Sequence, residues 1–469
     1  MDSLPESKRP RVEEYYCDKN KFSANSVITL HFVCDRSVIC TSHPQFTHQV
    51  FEKEEIFSSA TDEMFKIDIY VDVNDLTQEV YVLCPKEEVE DVRSKLVPRV
   101  PTDCHIHFSH ELPENMDKVL PRSVPDVVKP FGEKVGCFID DSKDEVYEFF
   151  LSSHKIAGTS SLVSNAEKLA VWYIETADAV DFSDDKWEVL LCYKRLPATG
   201  QPDGYSYSIA GYMTLYSFSN PFAGSKIRVC QVLVMPSVQR RGIGRQMMLC
   251  LYDYILKVRT DVVEITVEDP CEGFALMRDV VDVEWSIACL DELLSAFRFE
   301  LGELTPSEES KPLPLSPDMK KLYQFLEYVQ QKYVTGAFTK ALCVKFSAVV
   351  KVTISQFRFA LDTLCLLFIR QHENMLKSTE NVEINTPNNV AIANNNSSNK
   401  ENAPSSSGNT DMFKSFRAQM KRNLLKENPE LKLLKDKEQI QKELSLLYNE
   451  EHQRVLKVVD NKIISKLFA

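Results

Sequence analysis

The sequence has no run of about 18 apolar residues, and its start, MDSLPESKRPRVEEYY, has no apolar stretch, so neither a membrane-spanning helix nor a secretory leader is expected. An intracellular chain follows as the expectation. C-x-x-C pairs are also missing: the thirteen cysteines are an odd set scattered through apolar segments such as LLCYKR and TLCLLF, which reads as reduced core thiols. Positive charge is scarce, with 55 Lys and Arg against 69 Asp and Glu and a net charge of −14. Duplex affinity comes largely from neutralised phosphates, so no direct nucleic-acid binding is expected, and the acidic balance suits a basic partner instead. No internal repeat is visible.

Histidine is sparse too, and none lies between His154 and His372. The one stretch rich in metal-ligand residue types is DCHIHFSH, where His105 and His107 alternate onto one strand face with His110 beyond and Asp103 and Cys104 before. Without a second cluster at zinc-like spacing it reads as an exposed strand, and no metal is expected.

What is present divides the 469 residues into six parts. Residues 1–20 form a polar tail with KRPR at Lys8 to Arg11, which looks like a short nuclear-import signal. Residues 21–133 carry the strand-like runs SVITLHFVC, FKIDIYVDV and EVYVLC and read as an α/β domain. Residues 134–290 alternate strands (GCFIDD, EVYEFFLSS, WEVLLCYK, YSIAGYMTLYSF) with a helical pattern through NAEKLAVWYIETA. Residues 291–377 turn helical, with Leu322, Phe325, Leu326 and Val329 at three- and four-residue spacing. Residues 378–410, crowded with Asn and Ser, read as a disordered insert that includes a KEN triplet at Lys400 to Asn402. Residues 411–469 hold thirteen Lys and Arg against nine Asp and Glu, with Asn428 and Pro429 as helix cap and first turn and Ile440, Leu444 and Leu447 on one face. An amphipathic helix docking on its own protein is favoured there over a nucleic-acid contact.

The chemistry concentrates in VLVMPSVQRRGIGRQMMLCLYDYIL, Val232 to Leu256. A β-rich run ends at Pro236, and from Arg245 onward Met247, Met248, Leu251, Tyr254 and Ile255 share one helical face. Between them Gly242 and Gly244 let main-chain amides approach an anion at a helix N-terminus, where the macrodipole favours negative charge. A dinucleotide fingerprint fails because Met247 stands where the third glycine belongs, and no P-loop pattern exists.

The run Gln239-Arg240-Arg241-Gly242-Ile243-Gly244 resembles the Q/R-x-x-G-x-G/A pyrophosphate loop of the GNAT superfamily of N-acetyltransferases. WYIETADAVDFSDDKWEVLL, GYMTLYSF, VCQVLVMPSVQRRGIGRQ and ITVEDPCEGFALMRDVV, with HPQFTHQVF and KPFGEKV before them, are similar in order and spacing to the type B histone acetyltransferases of that superfamily, over roughly residues 25 to 300. The resemblance implies an α/β (α+β) chain with the GNAT acyl-CoA-binding fold, an N-terminal α/β domain and a C-terminal helical region. It implies acetyl-CoA as cosubstrate, lysines of newly made histone H4 (with histone H3) as acceptors, a β-propeller histone-binding chaperone as partner, and residence in nucleus and cytoplasm.

Carried over residue by residue, the resemblance puts Val232, Leu233 and Val234 on the strand that engages acetyl-CoA. It puts Gln239, Arg240, Arg241, Gly242, Ile243, Gly244 and Arg245 on the pyrophosphate loop. Glu268 becomes the general base, Glu175 and Asp269 further carboxylates at the lysine entry, and Trp187, Tyr216, Ser217, Phe218, Glu54 and Glu55 tail contacts. The chemistry needs such a base, because a lysine ammonium with a pKa of about 10 must lose a proton before nitrogen attacks a thioester. Partial burial and the neighbouring Asp269 are expected to raise Glu268 toward neutrality. Acids at Glu175, Asp178, Asp181, Asp184 and Asp185 interleave with rings, which suits a lysine- and arginine-rich tail. A cysteine nucleophile at Cys230 or Cys271 is disfavoured, since no histidine stands near in sequence. Competing readings are a non-catalytic histone-binding scaffold and an acetyltransferase for protein N-termini or small amines.

Overall fold

The computed structural model describes residues 20–35, 37–60, 65–109, 129–198, 204–301, 317–335, 340–384, 407–434 and 436–467. They fall into two compact units, Met1–Asn220 with Ile227–Tyr254, and Pro221–Lys226 with Ile255–Ala469. The basic run at Lys8 to Arg11, His110 and the KEN triplet lie outside the described residues.

The first unit opens with β1 (Asn20–Ser23), α1 (Ala24–Val27), β2 (Ile28–Cys34), β3 (Ser37–Ser42), β4 (Glu55–Ser58), β5 (Lys66–Asp72), β6 (Gln78–Leu83), α2 (Val89–Leu96) and β7 (His105–Ser109). Five of these strands form a mixed sheet in the order β3-β2-β5-β6-β7. Strict alternation decides its faces: Ile28, Leu30, Phe32, Ile67, Ile69, Val80 and Val82 are buried on one side. The other side carries a row of rings, with His31 stacked on Tyr70 at 4.6 Å and His107 stacked on Tyr81 at 4.5 Å.

A second, antiparallel sheet follows. Its strands β8 (Glu133–Asp140), β9 (Glu145–Ser152), β10 (Trp187–Pro197), β11 (Tyr205–Phe218) and β12 (Ser225–Val234) are neighbours in sequence order. Helices α3 (Thr159–Ala170) and α4 (Ile243–Lys257) take opposite faces, as the alternation along β11 shows. Tyr212 donates to the Ala166 carbonyl of α3 at 3.3 Å, while a Cβ at Gly211 would stand 3.4 Å from Met247 Sδ of α4. The same Cβ would meet the Leu233 carbonyl oxygen of β12 at 2.9 Å, so only glycine lets the two strands approach this closely. The helical pattern read through NAEKLAVWYIETA stops at Ala170: Trp172 and Tyr173 are buried in a turn, and the residues to Asp185 have no regular structure. The turn between β5 and β6 is bonded to β11, by Ile209 N to the Val73 carbonyl at 2.7 Å, and to α3, by Asn165 Nδ2 to the Asp75 carbonyl at 3.0 Å.

The second unit contains β13 (Val262–Val267) and the helices α5 (Glu272–Ala288), α6 (Leu290–Leu301), α7 (Pro317–Thr335), α8 (Lys340–Val350), α9 (Ile354–Ile384), α10 (Ser407–Glu427), α11 (Lys437–Val459) and α12 (Lys462–Leu467). The spacing read at Leu322, Phe325, Leu326 and Val329 is the buried stripe of α7. The basic C-terminal helices pack into this bundle, with Phe416, Met420, Val455, Val458 and Val459 buried. Two boundaries differ from expectation. The stretch 378–410 is entered from both ends by helix, α9 running to Ile384 and α10 starting at Ser407. Asn428 makes no side-chain cap, because its amide turns back to the Leu424 carbonyl, and α11 is capped instead by Asp436, whose carboxylate accepts the Glu438 amide at 2.9 Å.

Polar ties fix α5 in the unit. Arg278 donates to the Ile265 carbonyl at 3.0 Å, Trp285 Nε1 to the Val350 carbonyl at 3.0 Å, and Asp279 accepts a two-pronged bond from Arg454 at 2.8 and 2.6 Å. Asp279 is 4% exposed, so removing its partner leaves a buried carboxylate. Arg454→Met is expected to lower the unfolding free energy by about 2 kcal/mol in a urea titration, the cost of stranding an acceptor bonded by charge. An unchanged midpoint would mean that Asp279 is not buried in solution.

Candidate active site

The β12–α4 connection is a tight left-handed turn. After Val234, Met235 is buried and Pro236–Val238 form a single 3-10 turn. Arg240 at φ 63° and Gly242 at φ 79° then reverse the chain through two left-handed residues. The first helical bond runs from the Gln246 amide to the Gly242 carbonyl at 3.0 Å, so the preceding amides stand outside the helical ladder at the positive end of α4. Gly242 is exposed, and a Cβ there would meet nothing within 4 Å, so the approach to those amides is open. These features fit a diphosphate held by main chain.

Two side chains of the loop, Gln239 and Arg241, brace the turn. Gln239 Nε2 donates back to the Val234 carbonyl at 2.9 Å, closing the loop on the strand it left. Arg241 donates to Glu145 Oε2 at 2.7 Å and to the Ser237 carbonyl at 3.2 Å. Ile243 is buried beneath. Glu145 also accepts from Lys194 at 2.6 Å and from Tyr147 at 2.5 Å. Burial pushes its carboxyl up, but the bonds from Lys194 and Tyr147 and the charges of Lys194 and Arg241 outweigh that and hold it below its ordinary value. Val232 and Val234 are half-buried on β12, with Leu233 buried between them.

The acid-and-ring segment lies in the same unit. Trp187 meets Tyr216 edge-on at 4.8 Å and Tyr216 meets Phe218 at 4.7 Å, as their pairing on β10 and β11 requires. The row already has cations of its own: Lys186 stands 5.9 Å from the Tyr216 ring and Arg228 4.7 Å from that of Phe218. Ser217 is tied by its amide to the Lys186 carbonyl at 2.9 Å. Glu175 and Asp178 are exposed. The aspartates of this segment have local duties: Asp178 accepts the Ala179 amide at 2.9 Å, Asp181 bonds Ser183, Asp184 accepts the Lys186 amide at 3.0 Å, and Asp185 pairs with Lys155 at 2.8 Å. Glu55 is paired with Lys21 at 2.5 Å and Glu54 lies 3.9 Å from His48.

In the second unit, Glu268 and Asp269 follow β13 directly. Both are exposed, so the partial burial expected for Glu268 is not found. Asp269 has φ 30° immediately before Pro270, a conformation disfavoured for a residue in that position. His105 and His107 share the buried Glu79 at 3.3 and 3.0 Å. Among the described residues no group of three or more His, Cys, Asp or Glu is arranged to hold a metal ion.

Strand, open left-handed turn and helix start follow one another in this α/β chain, an arrangement that suits an anion at main-chain amides. Comparison then supplies relatives. Residues 20–175 match the family model described as histone acetyl transferase HAT1 N-terminus. The histone acetyltransferase type B catalytic subunit of Neurospora crassa is 25% identical over 283 residues, 52% of this chain and 53% of the relative. That of Cryptococcus neoformans is 23% identical over 282 residues, covering 52% and 64%, and that of Mus musculus 24% over 293 residues, covering 59% and 66%. The chain is similar to type B histone acetyltransferase catalytic subunits, and it spans about half the length of the first of them.

Two outcomes are expected of the turn. Gly242→Ala introduces no clash but places a side chain at φ 79°, so thermal unfolding should show a loss of about 1 kcal/mol; no loss would mean the left-handed turn is not kept. Glu145, held below its ordinary 4.5, adds stability that is complete above that pH and is lost as pH falls through its lower folded value. Glu145→Gln should therefore flatten the acid limb of the stability profile below about pH 4.5; a limb as steep as wild type would contradict the network.

Proposed function

We propose that this chain transfers the acetyl group of acetyl-CoA to lysine side chains of newly made histone H4, with coenzyme and tail bound together. The open, left-handed Gly242 turn at the start of α4, in a chain similar to type B histone acetyltransferases, carries the reading. Amides around Gly242 and Gly244 hold the diphosphate, and the backbone of Val232 to Val234 pairs with the pantetheine arm. The bound coenzyme supplies an activated thioester. Glu268 takes the proton of the lysine ammonium, directly or through a water, and the freed nitrogen attacks the thioester carbon. Amides near Val232 to Val234 stabilise the oxyanion, and the thiolate leaves and is reprotonated. Glu175 and Asp269 are further carboxylates for the cation, and Trp187, Tyr216 and Phe218 give the tail rings to lie on. Exposed ion pairs contribute about 0–1 kcal/mol each, so tail affinity is a sum of several and falls with salt.

On this reading the chain works on histone H4 in company with histone H3, with a β-propeller chaperone as the supporting partner, in both cytoplasm and nucleus. The exposure of Glu268 suits a base that bulk water can relieve of its proton after each turnover. Glu268→Gln should leave acetyl-CoA binding near wild type and reduce turnover of an H4 tail peptide roughly 10²- to 10⁴-fold, the usual contribution of a general base. Undiminished turnover would remove Glu268 from that role, and a wild-type chain that binds both ligands without turnover would make it a scaffold.

A further inference from the structure

Glu175 projects from a segment without regular structure, yet the backbone on either side of it is held by groups from distant parts of the first unit. Upstream, the Trp172 carbonyl accepts the amides of Gln45 and Phe46 at 2.7 and 3.2 Å. Downstream, the Ala177 carbonyl accepts Gln49 Nε2 at 2.9 Å, and the next carbonyl, that of Asp178, accepts Gln231 Nε2 at 2.5 Å. Beyond them the Val180 amide donates to Glu167 at 2.9 Å.

The two glutamines come from different places. Gln49 belongs to the loop after β3, and Gln231 lies on β12 one residue before Val232. Gln231 is 9% exposed, and its own amide is fixed to Thr214 Oγ1 at 3.0 Å, so the side chain starts from an immobile point. Each side chain uses its amide N–H on a main-chain carbonyl and leaves its own oxygen buried without an acceptor's partner. A stranded amide oxygen is costly, and a methionine of similar length would avoid that cost. The N–H grip is what the glutamine adds at each site.

We propose that Gln49 and Gln231 are a paired clamp that positions Glu175, with Gln231 coupling the coenzyme strand to the segment that meets the basic peptide. The functional half rests on the reading above that Glu175 faces the tail. Because Gln231 adjoins Val232, the partner of the Asp178 carbonyl is anchored on the same strand that the proposed coenzyme contact uses. Both glutamines are positioning residues: neither meets the reacting atoms.

The test uses the full chain with Gln231→Met and, separately, Gln49→Met. Amide hydrogen exchange across residues 173–182 should quicken roughly three- to ten-fold in each, the value of one lost hydrogen bond, with β9 and β10 unchanged. Unaltered exchange there overturns the clamp. Should Gln231→Met fail to fold, Gln49→Met carries the same expectation. In steady-state assays with acetyl-CoA and a histone-tail peptide, the peptide KM should rise roughly three- to ten-fold while the acetyl-CoA KM stays put. Glu175→Gln should then add little in the Gln231→Met background. Equal rises in both KM values, or fully additive effects, overturn the positioning role. Absence of wild-type turnover would instead defeat the acetyltransferase reading, and the exchange result would still decide the clamp.

Discussion

Two left-handed residues, Arg240 and Gly242, decide what the start of α4 presents to solvent. With that backbone reversed, the first amides of the helix face outward at its positive end, and an anion is the natural complement. The turn cannot rest on glycine's freedom alone, since an unconstrained glycine would sample many shapes. It is held from both sides, by Gln239 returning to the Val234 carbonyl and by Arg241 reaching Glu145 on β9. Arg241 is thus tied to the scaffold through Glu145.

The same economy recurs around the acidic segment after α3. Its backbone carbonyls at Trp172, Ala177 and Asp178 are taken by groups of the loop after β3 and of β12. Asp181, Asp184 and Asp185 are consumed by turns and by Lys155. The backbone that carries the exposed Glu175 and Asp178 is held by these neighbours. The N-terminal sheet, through its loop at 43–50, is therefore part of what shapes the segment.

Much of this was legible in residue order. Alternation located β2, β5, β6, β10 and β11, and three- and four-residue spacing located the buried stripe of α7, because those periods follow directly from burial on one face. The strand, turn and helix at 232–256 were legible because proline and glycine punctuate them. Contacts between distant residues were not: nothing local to Arg241 points to Glu145, and nothing local to Gln231 points to the Asp178 carbonyl. Nor could charge pattern alone show which acids also bond locally, as Asp178 does with the Ala179 amide. The end of α3 was missed because Trp172 and Tyr173 continue an apolar spacing while turning into the core. The exposure of Glu268 was missed because a carboxylate pair after a strand reads alike whether covered or open.

The central claim is that main-chain amides around Gly242 and Gly244 grip the diphosphate of an acyl coenzyme. Calorimetric titration of the folded chain with acetyl-CoA, repeated with dephospho-acetyl-CoA and with acetyl-pantetheine, tests it most directly. The account predicts saturable binding that survives loss of the 3′-phosphate and collapses when the diphosphate is removed. Equal affinity for acetyl-pantetheine, or no heat with acetyl-CoA on well-folded protein, would contradict it.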